Sequence, residues 1–427
     1  MKEIKTDIAV IGGGPGGLAA ALEASKTGVR VLILERDFEL GGILQQCIHN
    51  GFGLRYFKEE LTGPEYSQRF INMLKDSDVE ILRNTMVIDL KPDKTITAIN
   101  RTDGVITVKP QAVVLTMGCR ERTRGAINVP GDRCAGIFPA GLAQRLVNVE
   151  GYMPAKSVVI VGSGDIGMIM ARRLTLEGVE VKAVVEVLPY AAGLIRNRVQ
   201  CLEDYKIPLY LCHTVTHIHG KDRVKGVTIA QVDDKWRPLK GTDRFIDCDT
   251  VLFSVGLIPE NELSEKAGVV LGSTGGPVVN ELSETNVSGI FAAGNVLQVH
   301  DLVDWVTLEA QRAGKNAADY VKNLTRGVAE RGRIKVLPGD NVGYVIPQFI
   351  DYLGGDTQVQ FSFRPKGPAK DQQTLIESGG TVLAKRKHQH VIPSEMINIV
   401  TKVDPFAIKN KEITVRIVPQ PEEEKKQ

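Results

Sequence analysis

The stretch DIAVIGGGPGGLAAALEASKTGVRVLILERD, residues 7–37, decides the fold of this chain. An apolar run is followed by a glycine turn, a segment with helical periodicity, and a second apolar run that ends in an acidic residue. Gly12, Gly14 and Gly17 stand at the G-x-G-x-x-G positions, which allow a tight turn, close approach of backbone to a pyrophosphate, and close packing of helix on strand. The segment therefore predicts a dinucleotide-binding βαβ unit. Besides the glycines, the residues expected to contact this first dinucleotide are Pro15, Glu35 and Arg36.

The stretch SVVIVGSGDIGMIMARRLTLEGVEVKAVVEV, residues 157–187, repeats the pattern. Glu186 ends its second strand, where a carboxylate favours the ribose 2′-hydroxyl of NAD and repels the 2′-phosphate of NADP. The segment VLPYAAG that follows contains no arginine to receive such a phosphate. We therefore expect NAD(H) here; the alternative is a second fold that has lost its ligand and survives as scaffold. The residues expected to contact NAD are Gly162, Gly164, Asp165, Ile166, Gly167 and Glu186.

Length and composition exclude several classes of function. With 427 residues the chain predicts two to four domains, and a net charge of +2 gives no reason to expect nucleic acid as a partner. The first residues pass straight into an apolar strand, and no window reaches ~18 consecutive apolar residues. We expect a cytoplasmic protein without a membrane span. The six cysteines form no C-x-x-C, which argues against a zinc site or a local dithiol, and we expect no bound metal. The segment PEEEKKQ at the C-terminus predicts a solvated, disordered tail.

Two fingerprints in this order resemble the thioredoxin reductase-like branch of the pyridine nucleotide-disulfide oxidoreductases. Two segments, AVVLTMGCRER (112–122) and TVLFSVGLIPEN (250–261), are similar to the strands by which that family leaves and re-enters its FAD domain, and TNVSGIFAAGNVLQV (285–299) resembles its second FAD motif. Asn295 departs from the family, which usually has an aspartate there; asparagine keeps an acceptor oxygen but loses the charge. The resemblance implies FAD at the first site, with NAD at the second. The further FAD or crossover residues that it implies are Gly42, Thr116, Gly118, Gly256, Gly294, Asn295, Val306 and Thr307.

A narrower resemblance lies in GGILQQCIHNGFGLRYFKEELTGPEY (41–66) and GCRERTRGAINVPGDRCAGIFPAGLAQRLVNVEGYMP (118–154). These segments are similar to NAD/FAD-dependent subunits that accompany glycerol-3-phosphate dehydrogenase-like proteins, and more distantly to subunits of opine, proline and hydrogen-cyanide-forming dehydrogenases. The resemblance implies a second dehydrogenase subunit as partner. Several of those relatives carry a cysteine cluster for an iron-sulfur centre, whereas this chain has no cysteine after Cys248.

We predict an α/β fold with two Rossmann-like dinucleotide-binding domains, the NAD domain inserted in the FAD domain. The predicted FAD domain comprises residues 1–120 and 246–330, and the predicted NAD domain comprises residues 121–245. From residue 331 to residue 427, short alternating runs separated by Gly, Pro and Asp predict a small all-β module. A C-terminal module without a redox group is expected to serve as a docking surface, or alternatively as a lid that stabilises the FAD domain.

Cys47 raises the question of how electrons leave the flavin. Dithiol members of the family have two cysteines in the segment after the Gly-Gly pair, or a C-x-x-C in the NAD domain, and this chain has neither. Three roles remain open for Cys47: a thiol that cycles through sulfenic acid with help from His49, a polar lining of the flavin pocket together with Gln45, Gln46 and His49, or plain packing. His300, with Asp301, is a candidate for proton transfer, the alternative being a structural hydrogen bond.

The sequence thus predicts an FAD-dependent NAD(H) oxidoreductase that lacks a redox-active disulfide and works as the electron-transfer subunit of a larger dehydrogenase. One alternative is a self-sufficient NADH oxidase or peroxidase with a single cysteine. Another is a non-catalytic FAD-binding assembly subunit. The residues proposed for catalysis are Cys47, His49 and His300.

Overall fold

The computed structural model describes residues 2–323, 332–352 and 357–421. Residue contacts divide the chain into two units, one of residues 1–119 and 259–427, the other Arg120–Ile258. The predicted boundary between residues 245 and 246 falls inside the second unit, so the predicted domain limits remain a proposal. Residue 331, where we placed the start of the β module, and residues 422–427 of the predicted tail lie outside the described residues.

The first half of the first unit is a Rossmann-like body built on a mixed sheet. Its strands run in the order β5-β2-β1-β8-β7-β6, with a later strand also paired to β8. Strand β2, the second half of β1 (residues 8–11) and the end of β8 are parallel, apolar and buried, as expected of strands covered on both faces. The elements are β1 (Lys2–Ile11), α1 (Pro15–Ser25), β2 (Val31–Leu34), β3 (Asn50–Phe52), β4 (Leu61–Thr62), α2 (Gly63–Lys75), β5 (Glu80–Leu82), β6 (Met86–Leu90), β7 (Ile96–Asn100), β8 (Gly104–Leu115) and β9 (Cys119–Glu121).

The second unit contains a five-stranded parallel sheet and a three-stranded antiparallel sheet. The parallel strands follow the order β10-β17-β11-β12-β13, and β14, β15 and β16 form the antiparallel sheet. The elements are β10 (Ile137–Pro139), α3 (Ala140–Asn148), β11 (Ser157–Val161), α4 (Asp165–Leu176), β12 (Glu180–Val185), α5 (Ile195–Arg198), β13 (Leu209–Tyr210), β14 (His213–Gly220), β15 (Val224–Gln231), β16 (Arg244–Asp247) and β17 (Thr250–Phe253).

The chain returns to the first unit through β18 (Leu257–Pro259), α6 (Glu262–Lys266), β19 (Ile290–Ala292) and the long helix α7 (Val303–Asn323). Strand β19 adds to the Rossmann sheet beside β8. Helix α7 crosses α1 so closely that a Cβ at Gly314 would lie 2.2 Å from the Ala20 carbonyl oxygen. The alanine-rich α1 and the glycine of α7 therefore let the two helices meet backbone to backbone above the sheet.

The remaining described residues form an all-β module with its own apolar core. Its strands are β20 (Gly332–Pro338), β21 (Val342–Ile346), β22 (Phe349–Tyr352), β23 (Thr357–Pro365), β24 (Ala369–Ser378), β25 (Thr381–Val391), β26 (Ile397–Val403) and β27 (Glu412–Pro419). They make two sheets, β22-β20-β27-β24-β25 and β21-β23-β26. Buried residues such as Phe361 and Phe363 fill the space between them. The predicted fold class is confirmed.

The β module is attached to the Rossmann body of the first unit by specific contacts. The Gln348 amide donates to the Val279 carbonyl at 3.1 Å, and the Val279 amide donates to the Gln348 side-chain oxygen at 2.9 Å. Ile346 is buried in the apolar cluster of the Rossmann sheet, and Tyr344 packs against it. The module is therefore an integral part of this unit. Across the described residues, no helix combines the length and the apolar character needed to cross a membrane.

Candidate functional site

The first glycine turn is closed by Thr116 at the end of β8. The Thr116 hydroxyl donates to the carbonyl oxygens of Ile11 at 2.8 Å and Gly12 at 3.0 Å. Gly12 has a φ of +102°, and a Cβ at Gly17 would lie 1.8 Å from the Gly12 carbonyl oxygen. Only glycine fits at these two positions, as the fingerprint predicts.

Ser254 occupies the position beside the second glycine turn that Thr116 occupies beside the first, but its hydroxyl makes a different hydrogen bond. A Cβ at Gly162 would lie 2.2 Å from the Ser254 carbonyl oxygen, and the Ser254 hydroxyl accepts from the Gly167 amide at 3.0 Å. Ser254 is not among the site residues predicted from the sequence. Its signal was present, because Phe253-Ser254-Val255-Gly256 matches Leu115-Thr116-Met117-Gly118 when the two units are aligned.

The two acidic residues occupy equivalent positions and make equivalent hydrogen bonds. Glu35 accepts from the amides of Gly13 at 2.6 Å and Asp37 at 2.7 Å. Glu186 accepts from the amides of Ser163 at 2.8 Å and Leu188 at 2.9 Å, and also from the Ser163 hydroxyl at 2.6 Å. Both carboxylates are buried, and each oxygen is oriented by a backbone amide. A carboxylate oxygen accepts more than one hydrogen bond, so both side chains keep acceptor capacity for a ribose hydroxyl.

A loop returns to each glycine turn after the acidic residue. The Gly41 amide donates to the Gly13 carbonyl at 2.8 Å, and the Gly193 amide donates to the Ser163 carbonyl at 3.0 Å. Gly41 has a φ of +106°, and a Cβ at the neighbouring Gly42 would lie 3.1 Å from the Gly14 Cα. The two units thus build the same cradle, a glycine turn covered by a second stretch of backbone.

Gly14 and Gly164 hold the N-cap positions of α1 and α4, where they have no side chain to cap the first-turn amides. Uncapped amides at a helix start favour a phosphate group. Pro15 and Asp165 open the two helices. These residues fit a pyrophosphate in both units.

For three other residues predicted to contact a cofactor, the structure gives less direct support. The Asp165 carboxylate accepts from the Leu194 amide at 2.8 Å and the Asn197 side chain at 2.6 Å, so it fastens the return loop to α4. Arg36 is exposed, and Ile166 is half-buried. Their roles toward a cofactor remain predictions.

Cys47 lies at the end of a 3₁₀ turn that spans Gly42–Gln46. Its thiol donates to the Ile43 carbonyl at 3.3 Å, and burial raises the pKa of Cys47 to about 12. The thiol is therefore protonated at neutral pH, which disfavours a stabilised thiolate. His49 Nδ1 lies 3.0 Å from the Asn50 carbonyl oxygen, and its ring packs against Phe52.

The second FAD motif lies between β19 and α7. Gly294 has a φ of +75°, and its amide donates to Glu309 at 2.7 Å. The Asn295 side-chain oxygen accepts from the His300 amide at 3.0 Å, and its NH₂ group lies 3.5 Å from the Cys119 sulfur. The acceptor oxygen that we expected at Asn295 is thus used to hold the following turn.

Helix α7 begins at Val303, so Val306 and Thr307 lie in or next to its second turn. In an α-helix those amides bond to carbonyls four residues earlier, and the free amides belong to the first turn. The Val306 side chain instead closes the gap between Gly16 and Gly294, and the Thr307 hydroxyl lies 2.6 Å from the Tyr66 hydroxyl. The resemblance implies that Val306 and Thr307 offer backbone amides to the flavin; the amides left free by the helix lie closer to the start of α7, and the role of these two residues toward the cofactor stays a prediction.

Asp304, which sequence analysis missed, fastens the segment after Cys47 to the start of α7. Its buried carboxylate accepts from the amides of Gly53 at 3.2 Å, Arg55 at 3.2 Å and Tyr56 at 2.7 Å. Nothing local in the sequence could reveal this contact, because about 250 residues separate the partners.

A buried polar cluster lies beneath the turn that precedes α7. His300 Nε2 lies 3.5 Å from a Glu309 oxygen, and both side chains are almost fully buried. Burial alone would raise the pKa of Glu309, but His300, Arg312 and the Gly294 amide outweigh it and lower that pKa. Among the described residues, His300 Nδ1 has no hydrogen-bond partner.

Comparison with known proteins assigns the family. The model of the family described as pyridine nucleotide-disulphide oxidoreductase matches residues 6–317. The chain is 29% identical to thioredoxin reductase of Listeria innocua, over 74% of this chain and 94% of that protein. It is 26% identical to hydrogen cyanide synthase subunit HcnB of Pseudomonas protegens, over 61% of this chain and 58% of that protein. The chain thus spans about 60% of the length of several curated relatives that it matches.

A solved structure has the same fold. Thioredoxin reductase of T. acidophilum superposes with a TM-score of 0.61 at 23% identity, over 74% of this chain and 98% of that chain. Family members bind FAD and use NAD(P)H, so the prediction of these cofactors is confirmed. The chain belongs to the pyridine nucleotide-disulphide oxidoreductase family and has a thioredoxin reductase-like fold.

Proposed function

We propose that this chain transfers electrons between NAD(H) and FAD and passes them to a second dehydrogenase subunit, without a redox-active disulfide. The observation that carries the proposal is the pair of equivalent cradles, one in each unit, each with an oriented buried carboxylate. When bound, the nicotinamide and flavin rings supply the hydride chemistry itself. The protein supplies their placement and their electrostatic surroundings.

The proposed roles divide between the two cradles. Glu35 and Thr116 would hold the FAD adenosine and close its phosphate turn, and Glu186 and Ser254 would do the same for NAD. A free 2′-phosphate next to the Glu186 carboxylate would place two negative charges in a buried site, which is unfavourable. NADH is therefore the proposed nucleotide.

The proposal of an electron exit other than a thiol rests on Cys47. The chain has no second cysteine near it, the next being Cys119 in sequence, and its thiol has a raised pKa. A protonated thiol is a poor nucleophile toward peroxide, sulfur or a disulfide. We propose that Gln45, Gln46, Cys47 and His49 line the flavin pocket without thiol chemistry.

The proposed partner is a second dehydrogenase subunit, of the kind that accompanies glycerol-3-phosphate dehydrogenase-like proteins. Support comes from relatives whose names describe subunits, including HcnB. The contacts of Gln348 and Ile346 with the Rossmann body favour the stabilising role of the β module over a purely docking one. Removing the module would expose apolar surface on the FAD-binding body, so truncation is a poor test of docking.

Anaerobic mixing with NADH tests the proposal. We expect the bound flavin to bleach rapidly, and an artificial dye to reoxidise it much faster than oxygen or peroxide. A flavin that NADH does not reduce would favour an assembly subunit. Fast turnover with oxygen or peroxide alone would favour a self-sufficient oxidase or peroxidase, and a Cys47→Ser variant would show whether the thiol takes part.

A further inference from the structure

The turn Val299–Asp301 connects the second FAD motif to α7 and carries the candidate residue His300. Asn295 holds the turn from one side through the His300 amide, at 3.0 Å. Glu309 of α7 lies below the His300 ring. A third contact comes from outside the Rossmann body.

That third contact is Arg364, on strand β23 of the C-terminal module. Its Nη2 donates to the Val299 carbonyl at 3.0 Å and to an Asp301 carboxylate oxygen at 3.2 Å, so it grips both ends of the turn. Its Nη1 donates to the Pro393 carbonyl at 2.9 Å, which anchors the guanidinium within the module. The same Asp301 oxygen also accepts from the Met396 amide at 3.3 Å.

The contacts of Arg364 are strengthened by their burial. The Arg364 and Asp301 side chains are 17% and 7% exposed, so the ion pair is little screened by solvent. The planar guanidinium reaches three acceptors at fixed angles, which a lysine ammonium on a flexible stem cannot reproduce. The His300 ring lies between the two gripped residues. Its Nε2 lies 3.5 Å from Glu309, its Nδ1 has no hydrogen-bond partner among the described residues, and the backbone turn sets where the ring begins.

We propose that Arg364 is a positioning residue for the flavin site: the C-terminal module supplies it to fix the turn that presents His300. This inference rests on the proposed function. The family model ends at residue 317, so Arg364 belongs to a part of the chain that the family pattern does not contain. The β module would then be needed for flavin chemistry as well as for stability.

Three variants test the inference: Arg364→Gln, Arg364→Lys, and the control Arg416→Gln. Arg416 is also an arginine of the module and pairs with Glu377 at 2.9 Å, within the module. The readouts are FAD content, the flavin midpoint potential, the visible spectrum and the rate of anaerobic reduction by NADH. Unfolding temperature is followed in parallel.

In Arg364→Gln we expect bound FAD to be reduced about tenfold more slowly, because misplacing a group near the chemistry by about 1 Å can cost up to about a hundredfold. The midpoint potential should fall, because the unpaired Asp301 carboxylate disfavours added electrons. Arg364→Lys should have a flavin midpoint potential close to that of wild type but a slower reduction by NADH, since lysine keeps the positive charge but not the planar guanidinium. Arg416→Gln should change only the unfolding temperature.

Equal rates and potentials in Arg364→Gln and Arg416→Gln would overturn the inference, and so would an Arg364→Lys protein that matches wild type in every readout. If Arg364→Gln does not fold, the lysine variant alone decides. Failure of the proposed function looks different: the wild-type flavin itself would not be reduced by NADH.

Discussion

Replacement of Glu186 by glutamine should remove most of the preference for NADH over NADPH. The substitution keeps the size of the side chain, removes its charge and turns one acceptor oxygen into an NH₂ donor. In the structure both Glu186 oxygens face donors, those of Ser163 and Leu188. One backbone donor would lose its acceptor, and the ribose would lose a charged partner.

The size of the effect follows from the lost hydrogen bond. A hydrogen bond to a charged group contributes about 1.5–3 kcal/mol, so kcat/KM for NADH should fall about ten- to a hundredfold. NADPH should lose less, because the repulsion of its 2′-phosphate disappears together with the charge. A wild-type preference of about thirty- to a hundredfold should shrink to about threefold or less.

The assay is anaerobic flavin reduction by NADH and NADPH, with FAD content measured in the same samples. The matched control is Glu35→Gln, because the wild-type Glu35 carboxylate accepts from two backbone amides in the same way as Glu186 does. That variant should lose FAD, while its flavin-loaded fraction keeps the nucleotide preference. A Glu186→Gln protein that still prefers NADH as strongly as wild type would refute the role given to this carboxylate.

Three further outcomes are expected. Cys47→Ser should keep its FAD and most of its NADH-to-dye activity, and loss of flavin reduction in this variant would contradict the lining role. In the wild-type protein, alkylation of Cys47 should stay slow up to about pH 9, because a thiol of pKa about 12 is ~0.1% ionised at that pH. Thr116→Val should weaken FAD retention by about 1 kcal/mol, since the hydroxyl proton shared by the Ile11 and Gly12 carbonyls is lost. Unchanged FAD affinity on dialysis would show that the turn closes without this hydroxyl. The fold lowers the pKa of Glu309, so the ionised side chain stabilises the fold above its ordinary pKa of 4.5, and this stabilisation is lost as pH falls through the folded pKa. Glu309→Gln should therefore be less stable than wild type at neutral pH but lose less stability on acidification. Thermal unfolding temperatures with the same pH dependence in both proteins would count against this.

The parts of the site that sequence could predict are those encoded by local spacing. Gly12, Gly17 and Glu35 lie within one βαβ unit, where a turn, a helix and two strands fix their relative positions. The same local logic located the second fingerprint around Gly162. Ser254 was also within reach, by aligning the two units with each other.

The remaining contacts depend on residues far apart in the chain. Asp304 accepts a hydrogen bond from Gly53, and Arg364 donates one to Asp301, and no local sequence pattern predicts either pair. The hydrogen bond from the His300 amide to the Asn295 side-chain oxygen could likewise not be read from the sequence, and the role of Asn295 toward the cofactor stays a prediction. Such contacts follow from how sheets and helices pack, which spacing along the chain does not encode.

In the proposed mechanism electrons enter through the flavin, and no second redox group in this chain accepts them. An anaerobic titration of the purified holoprotein with NADH distinguishes one redox centre from two. Since each NADH delivers one hydride, flavin reduction should be complete at about one NADH per FAD, with no further NADH oxidised. An end point near two NADH per FAD would reveal a second two-electron centre, such as a disulfide, and would refute the mechanism.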